Sequence, residues 1–273
     1  MFLTHCYTGR LKNLTLSFAV VVALLLDSFA SADPQNTSIE FGFCPVEGFV
    51  DEEPKGVGYE LMTEVLMRLR AQGYQINESF VPAMRLLNGY KNKQYDVIFP
   101  IMKIKNFTLK SFQKWGFDHI PLYSRPLYDG GHFVIYTHVE NDRLNRVKDL
   151  KGKSTVVIAG AYIPVDLVTP TPYNVEYVDT AEQAFKMVQF GRVDAFLVHK
   201  GWGQHVLSGL DLPELHHGEP FENIRGGFIA QENELGEELV SAIDRVIADM
   251  IEDGSYAKIL EKFPDTKLVI HPD

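Results

Sequence analysis

Cysteine is almost missing from this chain of 273 residues, which holds 2, Cys6 and Cys44. Cys6 lies in a segment expected to be removed, so Cys44 is left alone and no internal disulfide can brace the fold. Stability must come from ordinary hydrophobic cores, and the length allows one large or two modest domains to build them. Positive charge is also short: Lys and Arg total 26 against 36 Asp and Glu, a formal net charge of −10. Such a balance suits neither nucleic acid nor an anionic membrane surface, so neither is expected as a partner. Beyond the N-terminal segment no stretch approaches the roughly 18 apolar residues of a spanning helix. Several enzyme signatures are missing as well. There is no H-E-x-x-H, C-x-x-C, G-x-S-x-G or Gly-rich phosphate loop. His216-His217 has no partnering Cys, so no metal and no other cofactor is expected.

What is present begins at the N-terminus. Arg10 and Lys12 precede an apolar run from Leu14 to Leu26, broken only by Thr15 and Ser17. Ala30-Ser31-Ala32 then forms an A-x-A box ahead of Asp33 and Pro34. A charged start, a short apolar run and small residues at the cleavage point predict a signal peptide over 1–32, cut after Ala32, and a periplasmic location. The run is short for a retained anchor.

Two later stretches follow one template. AMRLLNGYKNKQYDVIFP runs from Ala83 to Pro100, and AEQAFKMVQFGRVDAFLV from Ala181 to Val198. With Asp96 laid over Asp194, Leu86, Leu87 and Tyr90 fall on Ala184, Phe185 and Val188, a helical stripe of i, i+1, i+4 spacing. A Gly follows in each, at Gly89 and Gly191, though at different aligned positions. A short apolar run then starts at the Asp. Helix, turn and buried strand make half of a parallel α/β unit, and a repeated unit points to twin lobes with a ligand crevice between them. Chance similarity between two αβ units is the alternative.

The rest of the chain fits this reading. Ile39–Phe43 alternates as a strand and a polar loop follows. Tyr59–Ala71 is a helix with Leu61, Val65, Leu66 and Leu69 on one stripe and Gly73 at its C-cap; Gln75–Val81 is a second strand. Leu109–Tyr128 is aromatic and irregular and is expected to end at Gly130-Gly131, before a strand at His132–Tyr136. Ser154–Ala159 and Tyr173–Val178 are further strands. Gly226–Ala230 is an apolar strand, and an amphipathic helix with Leu235, Leu239, Ile243, Ile247 and Met250 precedes a short last helix. The predicted organisation is 33–138 as the first part of lobe one, 139–222 as lobe two, and 223–273 as a return to lobe one. The hinge is expected near Phe133–His138 and Ile224–Ala230.

Five landmarks carry a resemblance. Gly58-Tyr59-Glu60-Leu61, Tyr95-Asp96, Asp149-Leu150-Lys151-Gly152-Lys153, Gly191-Arg192-Val193-Asp194-Ala195 and Asp253-Gly254-Ser255-Tyr256 stand in the order seen in the family 3 periplasmic solute-binding proteins. The chain resembles that family from about Ile39 to Phe263. The resemblance implies an α/β fold of two doubly wound lobes joined by a two-strand hinge, the type II periplasmic binding fold. It also implies a small-molecule ligand between the lobes, import through an inner-membrane permease, and no enzymatic activity. A monomer is expected.

The C-terminal ends of the predicted strands supply the candidate binding residues. In lobe one these are Arg85, after Pro82, and Met102 and Lys103, with Cys44 at the mouth but read as a buried, inert thiol. In lobe two they are Gly160-Ala161-Tyr162 and His199 with Trp202. Gly160 and Ala161 could offer backbone N–H groups to an anion, or form a plain turn. Tyr162, Trp202 and Tyr123 could stack on a ligand or serve packing. The family's amino-acid binders, as the resemblance has it, keep an Arg after the first Y-D strand for the ligand carboxylate and an Asp for its amine. Here those places hold Met102-Lys103-Ile104-Lys105-Asn106-Phe107 and His199. Lys and His do not replace an Arg fork and a carboxylate at equal worth. Lys103, Arg85 and His199 together favour an anionic or hydrogen-bond-accepting ligand. Two alternatives stand beside import. One is a dehydratase-like enzyme using Glu47, Asp51 and His199; the other is a receptor that reports to a membrane sensor.

Overall fold

The structure is a computed structural model, and it describes residues 38–46, 49–51, 53, 55–103, 109–114, 116–138, 144–159, 174–212 and 215–264. The expected signal peptide, Glu47 and Gly160-Ala161-Tyr162 lie outside the described residues. The chain enters with β1 (Ser38–Phe43), α1 (Val57–Ala71), β2 (Gln75–Phe80), α2 (Ala83–Lys91) and β3 (Val97–Lys103). β1 sits between β2 and β3 and is parallel to both. After α3 (Leu109–Lys114) and β4 (Leu122–Tyr123), the long strand β5 (Tyr128–His138) leads away. β6 (Ser154–Ile158), β7 (Asn174–Val178), α4 (Ala181–Gln189) and β8 (Ala195–His199) repeat the arrangement, with β6 parallel to β7 and β8 on either side. α5 (Lys200–Ser208), β9 (Leu215–His217), β10 (Phe221–Ala230), α6 (Glu234–Glu252) and α7 (Ser255–Glu261) complete the described elements.

The strand order is β2-β1-β3-β10-β5-β8-β6-β7. Two parallel trios are therefore joined by the antiparallel pair β10–β5. The inner strands β3, β6 and β8 are covered on both faces, which is why they are near-continuous apolar runs, whereas the edge strands β2 and β7 carry polar, exposed residues. Phe41, Val97, Phe99 and Phe228 pack against α1, α6 and α7, while Ile98 and Ile229 pack with Leu86, Leu87 and Tyr90 on the opposite face. In the second trio, Val156, Phe196 and Val198 meet Ala184, Phe185 and Val188 of α4, and Val157, Ala195 and Leu197 meet Val147 and Leu150. Full burial of each such Phe or Leu is worth roughly 1.5–3 kcal/mol.

The repeated template has a common physical basis. The Asp96 carboxylate accepts the Glu40 N–H at 2.9 Å, and the Asp96 N–H donates to the Glu40 carbonyl at 2.8 Å. In the second copy Asp194 accepts the Ser154 N–H at 2.8 Å and hydroxyl at 2.9 Å, and its own N–H donates to the Ser154 carbonyl at 2.9 Å. Each Asp thus clasps the backbone of the neighbouring parallel strand, at Glu40 within β1 and at Ser154 where β6 starts. The helix ends match too. Gln94 N–H reaches the Gly89 carbonyl and Lys93 N–H that of Tyr90; Arg192 reaches Met187 and Gly191 reaches Val188. These are paired Schellman closures, which need a left-handed residue after the C-cap. Gly191 supplies it at φ 63, and Lys93 fills the equivalent place at φ 57. Gly89 does something else: a Cβ there would lie 2.4 Å from the Tyr95 ring.

One expectation needs correction, and two further segments gain detail. Gly130-Gly131 does not end a loop but lies inside β5, where the register with β10 shifts between Ile224 and Arg225. Val198–Trp202 does not simply trail off a strand: α5 begins at Lys200, and Gly203 lets it approach β8 and β5, since a Cβ there would meet Val198 at 2.8 Å and Tyr136 at 2.9 Å. His216-His217 lies half-buried in β9, paired with Thr137 and Tyr136. The segments expected to bend are also displaced from the crossing. Phe133–Tyr136 pairs with β8 and Arg225–Ala230 mostly with β3, so the strands pass between the trios at Asp129–His132 and Phe221–Ile224.

Candidate functional site

In both trios the parallel strands end at the crossing. β3 ends at Lys103, whose partner on β10 is Arg225, and Arg225 is in turn opposite Asp129 on β5. Direct cross-strand partners stand on one face, so a Lys, an Arg and an Asp form a single row. Arg225 Nε lies 3.9 Å from Asp129 Oδ2, and Asp129 is 8 % exposed. Lys103 turns its ammonium over the Tyr123 ring, 5.3 Å from the centroid, a cation–π placement. The Tyr123 hydroxyl donates to the Met102 carbonyl at 3.4 Å. Asp244 of α6 accepts the Arg125 N–H at 2.6 Å; burial holds its carboxyl above the usual range, against the opposing pull of Arg125 and Lys103.

β8 ends at His199, opposite Phe133 on β5. The imidazole caps α5: its Nδ1 accepts the Trp202 N–H at 3.2 Å. An Nδ1 used as acceptor carries no proton, so the neutral ring keeps its proton on Nε2. Nε2 is buried and has no hydrogen-bond partner among the described residues. It faces the crossing, for a Cβ built on Gly131 would lie 3.7 Å from it. Burial, helped by the charge of nearby His132, lowers the His199 pKa to about 4. At neutral pH the side chain is therefore an uncharged N–H donor, not a cation.

The candidate residues thus fall into groups. Lys103 and His199 flank the crossing from opposite trios. Met102 is half-buried and packs against the cluster of Phe133, Ile135 and Leu197, which belongs to the other trio. Arg85 is exposed on the first turn of α2 and makes no hydrogen bond or ion pair among the described residues. Trp202 is half-buried against the α4 face of the second core. Tyr123 supports Lys103 and also lines a hollow of about 550 Å³ between β4 and α6, with Arg125, Val240 and Asp244. Cys44 is buried beside β1, and burial pushes its thiol up to about 12, as expected of an inert core cysteine. Asp129 and Arg225 were not expected. Neither lies at the end of a parallel strand, and only the register of β3, β10 and β5 puts them beside Lys103.

No family model matches the chain. A protein of Vibrio harveyi named an amino-acid ABC transporter-binding protein, PatH, is 30% identical over 126 residues, 45% of this chain and 50% of that one. A protein of Bacillus subtilis named an amino-acid-binding protein, YxeM, is 24% identical over 139 residues, 50% of this chain and 52% of that one. The chain spans about half the length of the curated relatives it matches. Among solved structures, an ancestral arginine-binding protein bound to arginine superposes with a TM-score of 0.60 at 20% identity, over 84% of this chain and 98% of that one. This is the type II periplasmic binding fold. A histidine kinase sensor domain with similarity to periplasmic binding proteins shares it, with a TM-score of 0.63 at 16% identity over 84% and 96% of the two chains.

In type II terms the two parallel trios are the cores of two α/β lobes, and β5 and β10 are the strands that join them. Over about half its length the chain is thus similar to proteins named as amino-acid binders, and the fold over most of its described residues is that of periplasmic binding proteins. Its five landmarks have structural work in this fold. Asp149 accepts the N–H groups of Asn145 and Arg146 at 3.1 and 3.0 Å, with Leu150 fully buried behind it. Asp253 accepts the Ser255 N–H at 2.8 Å and pairs with Arg68 of α1 at 2.8 Å, and the Tyr256 hydroxyl donates to the Leu127 carbonyl at 2.9 Å. These motif residues thus hold the scaffold together, and the candidate binding residues lie elsewhere.

Proposed function

We propose that the chain is a periplasmic solute-binding protein that captures a small polar ligand, anionic or zwitterionic, between its lobes and delivers it to an inner-membrane permease. The carrying observation is the convergence at the crossing: Lys103, the last residue of β3, is paired with Arg225 of β10, which stands opposite Asp129 of β5, and His199, the last residue of β8, is opposite Phe133 of β5 with its Nε2 beside Gly131. Open parallel sheets bind ligands at the C-terminal ends of their strands, and here two such sets of ends share one floor. Among the described residues only β5 and β10 connect the trios, so bending a few residues at Asp129–His132 and Phe221–Ile224 is enough to open and close the lobes. The names of the Vibrio harveyi and Bacillus subtilis relatives support import of an amino acid or a compound shaped like one. Gly160, Ala161 and Tyr162, next after β6, complete the proposed site.

A thermal-shift screen of amino acids, organic acids, polyamines and sugars tests this. A true ligand raises Tm progressively with concentration, by mass action on the folded state: about 2.7 kcal/mol at 100 times Kd. Failure of every class to shift Tm would refute ligand capture. A shift accompanied by chemical conversion of the compound would instead favour the dehydratase-like reading.

The likeness to a sensor domain favours a second reading, in which ligand occupancy is reported to a membrane sensor. Pull-down by detergent-solubilised permease or sensor, with and without ligand, separates the two.

A further inference from the structure

From the way His199 caps α5, we propose that it is an acid-sensitive latch: neutral, it fastens the first turn of α5 against the crossing, and protonated, it lets that turn go. The latch is a property of the fold itself, and only its bearing on ligand release rests on the capture reading above.

The first turn of α5 has little of its own to hold it. It reads Lys200-Gly201-Trp202-Gly203, with two glycines, which are poor helix formers, and no acidic residue to meet the positive end of the helix dipole. Lys200 sets a cation there instead. The cap is a single imidazole, whose Nδ1 accepts the Trp202 N–H at 3.2 Å. The ring lies in a slot left by two missing side chains. A Cβ on Gly201 would come within 3.2 Å of Cε1, and one on Gly131 of β5 within 3.7 Å of Nε2. The same side chain therefore closes the helix end and seats it against β5.

A proton on the ring undoes both contacts. Nδ1 can accept only while bare, and an imidazolium donates from both nitrogens. Its Nδ1–H would meet the Trp202 N–H, donor against donor, with the added charge at the positive end of α5 beside Lys200. The described residues around it offer no compensation. On β5, Phe133 stands opposite, Gly131 has no side chain, His132 carries the same sign when protonated, and Asp129 is engaged by Arg225 of β10. On α5, Lys200 is adjacent and His205 stands in the last turn. β6, on the other side of β8, contributes Ser154–Ile158 and no ionisable group. Nε2 is already buried without a partner among these residues. A charged ring reaches water only by swinging out of its slot, and the cap goes with it.

Burial works in the same direction, holding the ring's pKa below the ordinary histidine value. Once released into water the ring regains a pKa of about 6.5, so the released state binds more protons than the fastened one. Fastening is thus fully favoured above about pH 6.5 and weakens as pH falls toward the fastened pKa, by up to about tenfold per pH unit. On the capture reading, acid loosens the lobe-two wall of the site and promotes release.

Hydrogen exchange of the Trp202 amide in the ligand-free protein tests the latch. Its protection factor should fall about 20- to 30-fold from pH 7.5 to pH 5.0 in the wild type. In His199→Asn it should stay constant to within about three-fold, because Asn is a strong cap that does not titrate. Flat protection in the wild type, or an equal fall in the variant, overturns the latch. Long-range ¹H–¹⁵N NMR on the wild type needs no variant: Nδ1 should be bare and Nε2 protonated at pH 7, and a proton on Nδ1 overturns the latch as well. Neither measurement depends on what the protein binds. The latch can therefore fail while ligand capture stands, and capture can fail in the thermal-shift screen while the latch stands.

Discussion

Removing the Asp194 carboxylate should destabilise the protein by about 2–4 kcal/mol. The reasoning rests on three distances: Asp194 accepts the Ser154 N–H at 2.8 Å and hydroxyl at 2.9 Å, while its own N–H holds the Ser154 carbonyl at 2.9 Å. Asp194→Ala leaves the backbone bond but strips two hydrogen bonds to a charged acceptor, each worth roughly 1.5–3 kcal/mol. The hydroxyl can turn to water; the Ser154 N–H, at the half-buried start of β6, has less freedom. The expected total therefore lies below the sum of the two. Asp96→Ala removes only the Glu40 N–H bond at 2.9 Å and should cost about 1.5–3 kcal/mol. With a urea slope of about 2 kcal/mol/M, Asp194→Ala lowers the midpoint by about 1–2 M. Asp194→Asn, which keeps an acceptor for the N–H, should fall between wild type and Ala. Equilibrium urea unfolding followed by circular dichroism measures all three. A loss under about 0.5 kcal/mol for Asp194→Ala, or Asn below Ala, would refute the clasp as a determinant of stability.

The other predictions concern single residues. Lys93→Gly should stabilise the protein by about 0.5–1 kcal/mol, because a left-handed Lys costs more than the added chain entropy of Gly; Gly191→Ala should cost about 1 kcal/mol, and both are read from the urea midpoint. The Asp253 carboxyl is held down to about 2 by its Ser255 hydrogen bonds and by Arg68. A depressed carboxyl stabilises above its unfolded pKa and loses that contribution as pH falls through its folded one. Wild type should therefore outlast Asp253→Asn at pH 5, with the two stability curves converging between about pH 4 and 2. Cys44, with its thiol pushed up to about 12, should resist a thiol reagent at pH 8 in the native protein and react fully once unfolded.

Much of the scaffold was legible because its signals are local. The stripes Leu61-Val65-Leu66-Leu69 and Leu239-Ile243-Ile247-Met250 announce α1 and α6, and Gly73 closes α1 as expected, with φ 102. α5 was illegible because Gly201 and Gly203 read as breakers; the second is there for close approach to β8 and Tyr136, a tertiary fact. Gly130-Gly131 likewise reads as a turn, and only pairing with β10 reveals a shift of register within one strand. The site was half legible. Strand ends led to Lys103 and His199, but Asp129 and Arg225 are brought there by register across three strands. The charge state of His199 depends on burial and on the Trp202 N–H, which composition does not carry.

The crossing also has a mechanical meaning. The chain leaves lobe one along β5 and comes back along β10, and their ladder between Tyr128–Phe133 and Phe221–Gly226 ties the neck of the intervening segment. Ser38 and the α7 helix both pack in lobe one. Tension applied to the two ends of the described chain would thus run through lobe one and bypass lobe two until the neck is unzipped. Under force lobe one should yield first, with lobe two held in a tied loop that a pull on the ends does not reach.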